Sequence, residues 1–593
     1  MFTQEAEICP RKDEEHMKTQ LPLKNRHKAY PLYETTVFEN FRVMTENVAK
    51  KYPDKCAFSY REKPTDKEAK RITYTEARND IRDLGTALIH AGLRDKKVAI
   101  IGESSVSWIY SYFSLMSIGA ITIPVDKEYL APDLAAILNT AKCDAVIYSP
   151  VLKDKVAYLR ENVPTAKLFI STANAMAEGD RTVKDLIAEG AELYKNGDNS
   201  YYDYEIDVDR LASIVFTSGT TGKGKGVMLS TRNIVSDMTQ GMYNFEIGPK
   251  TMNVLPPHHT FGSTVNFVGH FSQGSEIYIS SGLRYLLNEL KEEKPVHLIL
   301  VPLFVETLYK RIWATAEKEG SAPLLRRMMK FSNRLRKIGI DMRRILFKRI
   351  LGNFGGKLEM IICGGAALNQ DIIDDFETFG IVIMNGYGIT ECSPLISCNR
   401  NEYRKNGSVG TPIIGEEVKI DNPNENGEGE ICVRGTNVML GYYENEEATR
   451  AAIDKDGFFH TGDIGKLDDE GWIYITGRLK NLIILSNGKN VYPEEIETEI
   501  SRIYGVSEVV VYEGESKSDR TKEVIVAEIF PDYDALELRC IPDAQAYFDK
   551  EITALNSRMV AYKHIGLVKI RKEEFVKNTT KKITRFSIDK TID

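Results

Sequence analysis

The sequence predicts an α/β protein: a large N-terminal domain of layered βαβ units with a small β-rich subdomain, followed by a small α+β domain. From residue 98 onward, short β-branched segments such as KVAII, DAVIY and HLILVP alternate with segments of helical periodicity, which is typical of parallel βαβ layers. After about residue 410, the chain becomes rich in turn residues, with the short strands GEGEICVRG and GWIYITG. Beyond residue 478, a helix in VYPEEIETEISRI precedes the strands SEVVVYE and EVIVAEIF.

Domain boundaries follow from these changes in composition. Residues 1–30 form a polar arm, residues 31–478 the large domain and residues 479–593 the C-terminal domain, with the boundary at GRLKN. Within the large domain, the β-rich subdomain occupies about residues 410–478 and a basic insertion occupies about residues 314–350.

The most apolar run of the chain is WIYSYFSLMSIGAITIPV, residues 108–125, which is nearly long enough to span a membrane. Gly119 divides it into a half with helical character and a β-branched half, which predicts a helix followed by a buried strand. The N-terminal segment is charged and lacks the apolar core of a secretory signal. We therefore expect a cytoplasmic protein.

The composition favours a soluble globular protein, with 42% hydrophobic and 27% charged residues. The net charge of −7 argues against nucleic acid as a partner. The eight cysteines are scattered without a C-x-x-C pair, as is usual in a reducing compartment. We interpret Cys392 as a small buried thiol and not as a nucleophile.

Between residues 326 and 350, ten basic residues accompany a single acid, Asp341. Apolar residues fall at helical spacing among them: Leu325, Met328, Met329, Phe331 and Leu335. A cationic amphipathic segment of this kind suits peripheral contact with a membrane or with an amphiphilic acid. A solvated helix face on a folded protein is the simpler interpretation of the same pattern.

The segment FTSGTTGKGKGVMLS, residues 216–230, is rich in glycine and in hydroxyl side chains. Glycines let a backbone approach a ligand closely, and the free N–H groups of such a loop surround anions. Residues 219–226 depart from a Walker P-loop at Gly226, where that motif has Ser or Thr, and GVMLS predicts a strand where a P-loop has a helix. We therefore expect a nucleotide-phosphate loop of another kind, with a P-loop-like ATPase or kinase as an alternative.

Further motifs follow in the order VLPPHHTFGST, ICGGAALNQ, NGYGITECSP, GFFHTGDIGKLDDEGWIYITGRLKNLI and NTTKKITR. Together with the glycine-rich loop, over about residues 30–593, they resemble the adenylate-forming enzymes: acyl-CoA synthetases, luciferases and the adenylation domains of peptide synthetases. The resemblance implies the fold of that superfamily, with a mobile C-terminal domain. It also implies that a carboxylic acid is converted to an acyl-AMP with release of pyrophosphate, with ATP and Mg²⁺ as cofactors and coenzyme A as the acceptor.

The resemblance further implies roles for individual residues. The loop around the β- and γ-phosphates would consist of Thr217, Ser218, Gly219, Thr220, Thr221, Gly222 and Lys225, with Gly224 where the family usually has proline. The adenine would lie along Gly365, Ala366, Ala367, Asn385, Gly386, Tyr387 and Gly388, with the Tyr387 ring stacked on the base. Thr390 would contact the α-phosphate, Glu391 would bind Mg²⁺, and Asp463 and Arg478 would contact the ribose.

Two lysines and a glycine would act in the catalytic cycle that the resemblance implies. Lys480 would be the hinge between the domains, and Lys582 in TTKKITR would bridge the substrate carboxylate and the α-phosphate. This chain departs from the usual pattern at Asn578 and Lys581, and the frame K-I-x-R favours Lys582 over Lys581. Rotation about Lys480 would withdraw Lys582 and bring the LSNGKN loop with Gly488 to the opening that admits the pantetheine arm.

The substrate prediction depends on an acidic side chain that this chain lacks. Relatives that activate amino acids usually carry Asp shortly after the position of His259, where this chain has Gly262, and an unpaired ammonium in a closed pocket is heavily penalised. His259 is either the gate of the acid pocket or an ordinary structural histidine. The basic insertion and the polar arm resemble those of long-chain fatty acyl-CoA synthetases, which favours a medium- or long-chain fatty acid. An acyl carrier protein ligase and a ligase of aryl or other acids stay as alternatives.

Overall fold

The computed structural model describes residues 32–173, 180–217, 224–401, 403–485, 489–516, 524–577 and 583–593. Outside these ranges lie the predicted site residues Ser218, Gly219, Thr220, Thr221, Gly222, Gly488 and Lys582, together with Asn578 and Lys581.

The strands of the described residues fall in the following order along the chain. They are β1 Cys56–Tyr60, β2 Lys70–Thr73, β3 Lys97–Ile101, β4 Ile121–Val125, β5 Ala145–Tyr148, β6 Leu168–Ser171, β7 Arg181–Thr182, β8 Leu211–Thr217, β9 Lys225–Ser230, β10 Lys250–Asn253, β11 Glu276–Ile279, β12 His297–Leu300, β13 Met360–Cys363, β14 Val382–Gly388, β15 Leu395–Cys398, β16 Thr411–Pro412, β17 Glu417–Asp421, β18 Gly429–Arg434, β19 Gly441–Tyr442, β20 Phe459–Leu467, β21 Ile473–Arg478, β22 Ile483–Ile484, β23 Asn490–Val491, β24 Val506–Gly514, β25 Val524–Pro531 and β26 Leu567–Ile570.

The α-helices of the described residues are interspersed with these strands. They are α1 Phe41–Lys51, α2 Tyr74–His90, α3 Val106–Ser117, α4 Ala131–Ala141, α5 Lys153–Asn162, α6 Val183–Lys195, α7 Thr231–Asn244, α8 His270–Ser272, α9 Leu286–Glu293, α10 Pro302–Lys318, α11 Ala322–Lys337, α12 Arg343–Leu346, α13 Lys348–Gly352, α14 Gln370–Phe379, α15 Glu446–Ala452, α16 Pro493–Ile500, α17 Tyr533–Leu538 and α18 Ala544–Asn556.

Two mixed sheets organise most of the described residues. The nine strands of the first follow the order β16-β15-β14-β13-β12-β10-β11-β1-β2, and the pairs from β14 to β1 are parallel. The eight strands of the second follow the order β19-β9-β8-β4-β3-β5-β6-β7, with parallel pairs from β8 to β7. Helix α3 connects β3 to β4, and α4 connects β4 to β5. The predicted βαβ layering is therefore confirmed.

The apolar run at residues 108–125 folds as a helix and then a strand, as predicted. Helix α3 begins after Ser105, whose side chain accepts a hydrogen bond from the backbone N–H of Trp108. The chain then turns at Gly119, which has φ +77°, a conformation that glycine adopts without strain. A Cβ at this position would also lie 2.7 Å from the ring of Tyr204. In the described ranges, none of the helices combines the length and the apolar character that a membrane span requires.

Residue contacts divide the chain into two compact units. The first comprises the chain up to Glu417 together with two later segments, Val433–Phe459 and Asp469–Trp472. The second comprises Val418–Cys432, His460–Asp468 and Ile473–Asp593. The second unit contains the sheet β24-β25-β26, with α16, α17 and α18 contributing to the same hydrophobic core, and the ribbon β22-β23. Most of the four-stranded sheet β17-β18-β20-β21 belongs to it as well. The predicted domain boundary after residue 478 stays a prediction.

Candidate active site

Parallel strands bring predicted site residues to one edge of the nine-stranded sheet. Strands β10, β12, β13 and β14 are successive parallel neighbours, so their carboxyl ends share the edge at which ligands bind in open α/β sheets. Residues 364–367 follow β13, and residues 385–388 end β14. A Cβ added at Gly364 would lie 3.2 Å from the carbonyl oxygen of Gly386. The two segments predicted to line the adenine are therefore adjacent.

Two glycines in these segments are required by the backbone. Gly365 has φ +90°, in the left-handed region that favours glycine. A Cβ on Gly388 would lie 2.0 Å from the carbonyl oxygen of Pro394, far inside van der Waals contact. Gly365, Ala366 and Ala367 are exposed, so this stretch presents backbone and small side chains to solvent.

Tyr387 and the residues after it occupy the end of β14. The Tyr387 side chain is buried, with 6% of its surface exposed, and its role in stacking on adenine stays a prediction. Thr390 and Glu391 lie in a 3₁₀ turn, Thr390–Cys392, and both are half-buried. Cys392 is fully buried, as predicted.

Lys225, Tyr442 and Glu391 form a connected array. Nζ of Lys225 lies 4.6 Å from the centre of the Tyr442 ring, within the range of a cation–π interaction. The Tyr442 hydroxyl donates to Oε1 of Glu391 at 2.9 Å. Burial and the Glu391 carboxylate raise the pKa of Tyr442, so the hydroxyl stays protonated and remains a donor. The array joins the predicted phosphate-binding lysine to the predicted magnesium ligand.

Strand pairing holds this array in place. Strand β9 begins at Lys225, and the short strand β19 pairs antiparallel with it, so that Tyr442 lies opposite Val227. The backbone N–H of Met439, just before β19, donates to the carbonyl oxygen of Glu391 at 2.8 Å. Three segments that are distant in sequence are thereby fixed by main-chain hydrogen bonds.

The predicted phosphate loop connects an antiparallel hairpin, β8 and β9, in which Thr217 lies opposite Lys225. A Cβ on Gly224 would lie 2.8 Å from the carbonyl oxygen of Thr217. A side chain at this position would therefore require the backbone to shift, which agrees with the glycine found here. A strand follows the loop, as predicted, whereas a Walker P-loop requires a helix at this point. The hairpin therefore argues against the P-loop alternative.

His258 and His259 follow β10, at the same edge of the nine-stranded sheet. Nε2 of His258 lies 3.5 Å from Oδ2 of Asp126, and burial lowers the pKa of His258 although Asp126 opposes the shift. The carbonyl oxygen of His259 accepts a hydrogen bond from the N–H of Gly262 at 2.8 Å. A Cβ on Gly262 would lie 2.2 Å from the carbonyl oxygen of Pro256. The backbone here excludes any side chain, including an acidic one.

In the second unit, strands β20 and β21 place Asp463 opposite Arg478. Nε of Arg478 donates to Oδ1 of Asp463 at 2.8 Å, and the Asp463 side chain is 4% exposed. Lys480 follows in the 3₁₀ turn Leu479–Asn481. Desolvation and the charge of Arg478 lower the pKa of Lys480. The two predicted ribose residues and the predicted hinge lysine thus share one end of this hairpin.

A cluster of polar side chains supports the turn that carries Asp463. The N–H of Gly462 donates to Oε1 of Glu430 at 2.9 Å. Nδ1 of His460 lies 2.8 Å from Oε2 of Glu430 and 3.4 Å from Sγ of Cys432. Because both partners face the same ring nitrogen, the three groups do not form a proton relay through the imidazole. Glu430 instead ties the turn to the neighbouring strand.

Lys582 lies outside the described residues, but the chain on both sides of its segment is anchored. Lys577 and Ile583 form an antiparallel bridge. Arg585 donates to both carboxylate oxygens of Glu497 at 2.5 Å and to the carbonyl oxygen of Val511 at 3.0 Å. Burial raises the pKa of Glu497 to about 7 against the opposing charge of Arg585.

Residues 45–443 match the AMP-binding enzyme family. The chain belongs to this family. It is therefore an adenylate-forming acid ligase, as the sequence motifs predicted.

This AMP-binding enzyme is 28% identical to long-chain-fatty-acid–CoA ligase 5 of Mus musculus over 503 residues, covering 79% of this chain and 72% of the mouse protein. It is 27% identical to the chloroplastic long-chain-fatty-acid–(acyl-carrier-protein) ligase AEE15 of Arabidopsis thaliana over 541 residues, covering 78% and 73% of the two chains. The crystal structure of anthranilate CoA ligase AuaEII in complex with anthranoyl-AMP superimposes with a TM-score of 0.74 at 19% identity, covering 94% of this chain and 97% of that one. The last comparison confirms the predicted fold.

The contacts of two residues of the AMP-binding enzyme, Tyr442 and Arg585, were not identified from its sequence. Tyr442 lies in MLGYYEN, where two adjacent tyrosines give no hint that one of them reaches Glu391. Arg585 served only to set the frame K-I-x-R around Lys582, and its bonds to Glu497 show a structural task. The individual roles predicted for the site residues stay predictions.

Proposed function

We propose that this AMP-binding enzyme activates a medium- or long-chain fatty acid to its acyl-AMP, with pyrophosphate release, and transfers the acyl group to the thiol of coenzyme A. The observation that carries the proposal is the array of Lys225, Tyr442 and Glu391. It joins the ammonium of Lys225, next to the glycine-rich loop, to the carboxylate of Glu391, which follows the segments predicted to line the adenine. The names of the mouse and Arabidopsis relatives support the acid class, and the name of the mouse relative supports coenzyme A as the acceptor.

The chemistry explains why the site requires this combination of charges. A carboxylate resists nucleophiles because its carbonyl is electron-rich and its leaving group would be oxide. Joining it to AMP supplies a good leaving group, but the acid and the triphosphate must first be held together against their mutual repulsion. Lys225 is exposed at the start of β9, where its ammonium can offset phosphate charge.

The residues present fit a magnesium ion. Glu391 supplies a hard oxygen ligand of the kind that Mg²⁺ prefers, and its orientation is fixed by the hydroxyl of Tyr442. When bound, Mg²⁺ would neutralise part of the triphosphate charge. Tyr442 holds the carboxylate through a donor that does not ionise, because burial keeps the pKa of the phenol raised.

Gly262 supports an acid without an amino group. A buried substrate ammonium needs a carboxylate partner, and the backbone of Pro256 leaves no room for a side chain at Gly262. A fatty acid has no such requirement, which agrees with the acid class in the names of the mouse and Arabidopsis relatives.

An acyl carrier protein is the second candidate acceptor. The Arabidopsis relative is a ligase of fatty acids to the carrier protein, and its identity to this chain is within one percentage point of that of the mouse CoA ligase. Both acceptors present the same pantetheine thiol, so the site residues named above do not distinguish them.

Pyrophosphate release tests the proposal directly. The purified chain is supplied with ATP, Mg²⁺ and acids of increasing chain length, alone, with coenzyme A and with a holo acyl carrier protein. We expect AMP and pyrophosphate, with the highest turnover for medium or long chains in the presence of coenzyme A. Thioester formation on the carrier protein but not on coenzyme A would identify the carrier protein as the acceptor. Formation of ADP would refute the proposal.

A matched pair of lysine variants controls this assay. Lys225→Met should lose at least tenfold in acid-dependent pyrophosphate release, because it removes the cation of the array. Lys184→Met changes an exposed lysine of α6 and should leave the rate unchanged.

A further inference from the structure

Helix α11 has two apolar faces, of which one is buried. Ala322, Leu325, Met329 and Ser332 are its buried residues. Leu324 and Phe331 are 60% and 52% exposed, and Ile338, directly after the helix, is 70% exposed. These three residues follow one another at intervals of seven, so an α-helix places them within about 40° of each other. The sequence placed Leu325, Met329 and Phe331 together at helical spacing, and the structure separates them, with Leu325 and Met329 buried and Phe331 exposed.

Cations border this exposed apolar row. Arg327, Lys330, Arg334 and Lys337 are exposed along α11, and Lys348 is exposed at the start of α13. Within the ranges that the structure covers, no carboxylate pairs with any of these five. Other basic residues of the segment are already paired: Arg336 with Glu377, Arg343 with Asp341 and Arg349 with Glu319. Arg327, Lys330, Arg334 and Lys337 thus lie on the same helix as the exposed apolar row, at its solvent-facing side.

We call Leu324, Arg327, Lys330, Phe331, Arg334, Lys337 and Ile338 the basic stripe. Exposed apolar side chains continue beyond it at Ile340 and Ile345. The whole chain carries a net charge of −7, so overall electrostatic repulsion would keep it away from an anionic surface. Any attraction must therefore come from this local concentration of positive charge.

We propose that the basic stripe docks this enzyme on the surface of an anionic lipid bilayer. The cations would meet lipid phosphates, while Leu324, Phe331 and Ile338 would enter the boundary between headgroups and acyl chains. A bilayer suits this face because it is a row on the outside of one helix, and lipid headgroups rearrange around cations of any spacing. The proposal goes beyond the ligase activity and does not depend on it.

Vesicle flotation of the full chain tests this docking. Vesicles of phosphatidylcholine alone are compared with vesicles of equal parts phosphatidylcholine and phosphatidylglycerol, without ATP or acid. We expect binding to the anionic vesicles and much weaker binding to the neutral ones. Each cation near such a surface contributes about fivefold in partitioning, so the triple variant K330Q/R334Q/K337Q should bind about a hundredfold more weakly. The double variant L324S/F331S should bind about tenfold more weakly and should lose the part of binding that survives high salt.

Two control variants match these changes elsewhere on the first unit. K153Q/K184Q/K195Q removes three exposed lysines and alters the net charge equally. V151S/L283S changes side chains that are 70% and 54% exposed. Both should bind anionic vesicles like the unaltered chain.

Three outcomes would overturn the proposal. The chain could bind anionic and neutral vesicles equally weakly, or the control lysine variant could lose as much binding as K330Q/R334Q/K337Q. Alternatively, the basic-stripe variants could lose binding to a purified acidic acyl carrier protein but not to vesicles, which would assign the surface to a protein partner. Vesicle binding is measured without turnover, so an inactive ligase would leave this test intact.

Discussion

Tyr442→Phe isolates the hydrogen bond between Tyr442 and Glu391. The substitution keeps the ring under Lys225 but removes the hydroxyl that donates to Oε1 of Glu391 at 2.9 Å. A hydrogen bond to a charged acceptor contributes about 1.5–3 kcal/mol, and Glu391 is only half-buried, which favours the lower end. A loss of about 1.5 kcal/mol corresponds to about a tenfold decrease in rate. Because the phenol stays protonated over the working pH range, the loss should not depend on pH.

The assay is acid-dependent pyrophosphate release at a series of Mg²⁺ concentrations. If Tyr442 orients the magnesium ligand, Tyr442→Phe should lower kcat/KM about tenfold and raise the Mg²⁺ concentration that gives half the maximal rate. Tyr442→Leu also removes the ring from Lys225 and should lose a further factor of about two to five.

Tyr443→Phe is the matched control for this prediction. Its hydroxyl accepts a hydrogen bond from Nζ of Lys97 at 3.0 Å and lies in the adjacent residue. It should leave the Mg²⁺ dependence unchanged. Unaltered Mg²⁺ dependence in Tyr442→Phe, or an equal shift in Tyr443→Phe, would refute the reasoning.

The remaining predictions concern acid stability, one glycine and the C-terminal lysine. Burial lowers the pKa of His270 to about 4. Below about pH 6.5, the imidazole of His270 therefore takes up a proton in the unfolded chain but not in the folded chain. The contribution of the neutral His270 to the free energy of unfolding is lost as the pH falls from about 6.5 to about 4. Urea unfolding is followed by tryptophan fluorescence, which reports on the first unit because all three tryptophans lie there. Between pH 7 and pH 5, the free energy of unfolding of His270→Gln should decrease by about 2 kcal/mol less than that of the unaltered chain. Equal decreases in the two proteins would contradict the prediction. Gly388→Ala places a Cβ 2.0 Å from a carbonyl oxygen and should lower the free energy of unfolding in the same measurement by about 1–3 kcal/mol. Gly352→Ala is the control, because no atom lies within 4 Å of its Cβ, and it should not lower the free energy of unfolding. Similar values for the two variants would be evidence against the steric argument. Lys582→Ala should abolish acid-dependent pyrophosphate release yet leave thioester formation from added acyl-AMP largely intact. Arg585→Gln should show a smaller difference of the same kind, because it removes the bonds that hold the chain beside Lys582. Equal loss of both half-reactions would contradict the assignment of Lys582 to adenylate formation alone.

Much of the first unit could be predicted because its signals are local. β-branched runs such as KVAII gave the strands, and Gly119 separated α3 from β4 through its own backbone requirement. The glycine-rich loop was predicted to lead into a strand, and β9 confirmed it.

The contacts of Tyr442 could not be predicted from local pattern. The phenol reaches Glu391 because β19 pairs with β9, more than two hundred residues earlier in the chain. No periodicity in MLGYYEN specifies that partner. The same limit applies to Arg585, whose carboxylate partner Glu497 lies in α16.

Helix α11 shows a different limit. Its apolar residues fit helical spacing on more than one side, so the pattern alone did not reveal which side faces the core. Leu325 and Met329 are buried, whereas Phe331 faces solvent. Only the packing of the helix against its neighbours separates the two faces.

Exchange of labelled pyrophosphate into ATP, in the absence of coenzyme A, tests the central claim most directly. An enzyme that joins a carboxylic acid to AMP reversibly should incorporate label into ATP only when a suitable fatty acid is present. Lys225→Met should reduce that exchange and Lys184→Met should not. Absence of exchange with every acid, or exchange that proceeds without any acid, would contradict the account.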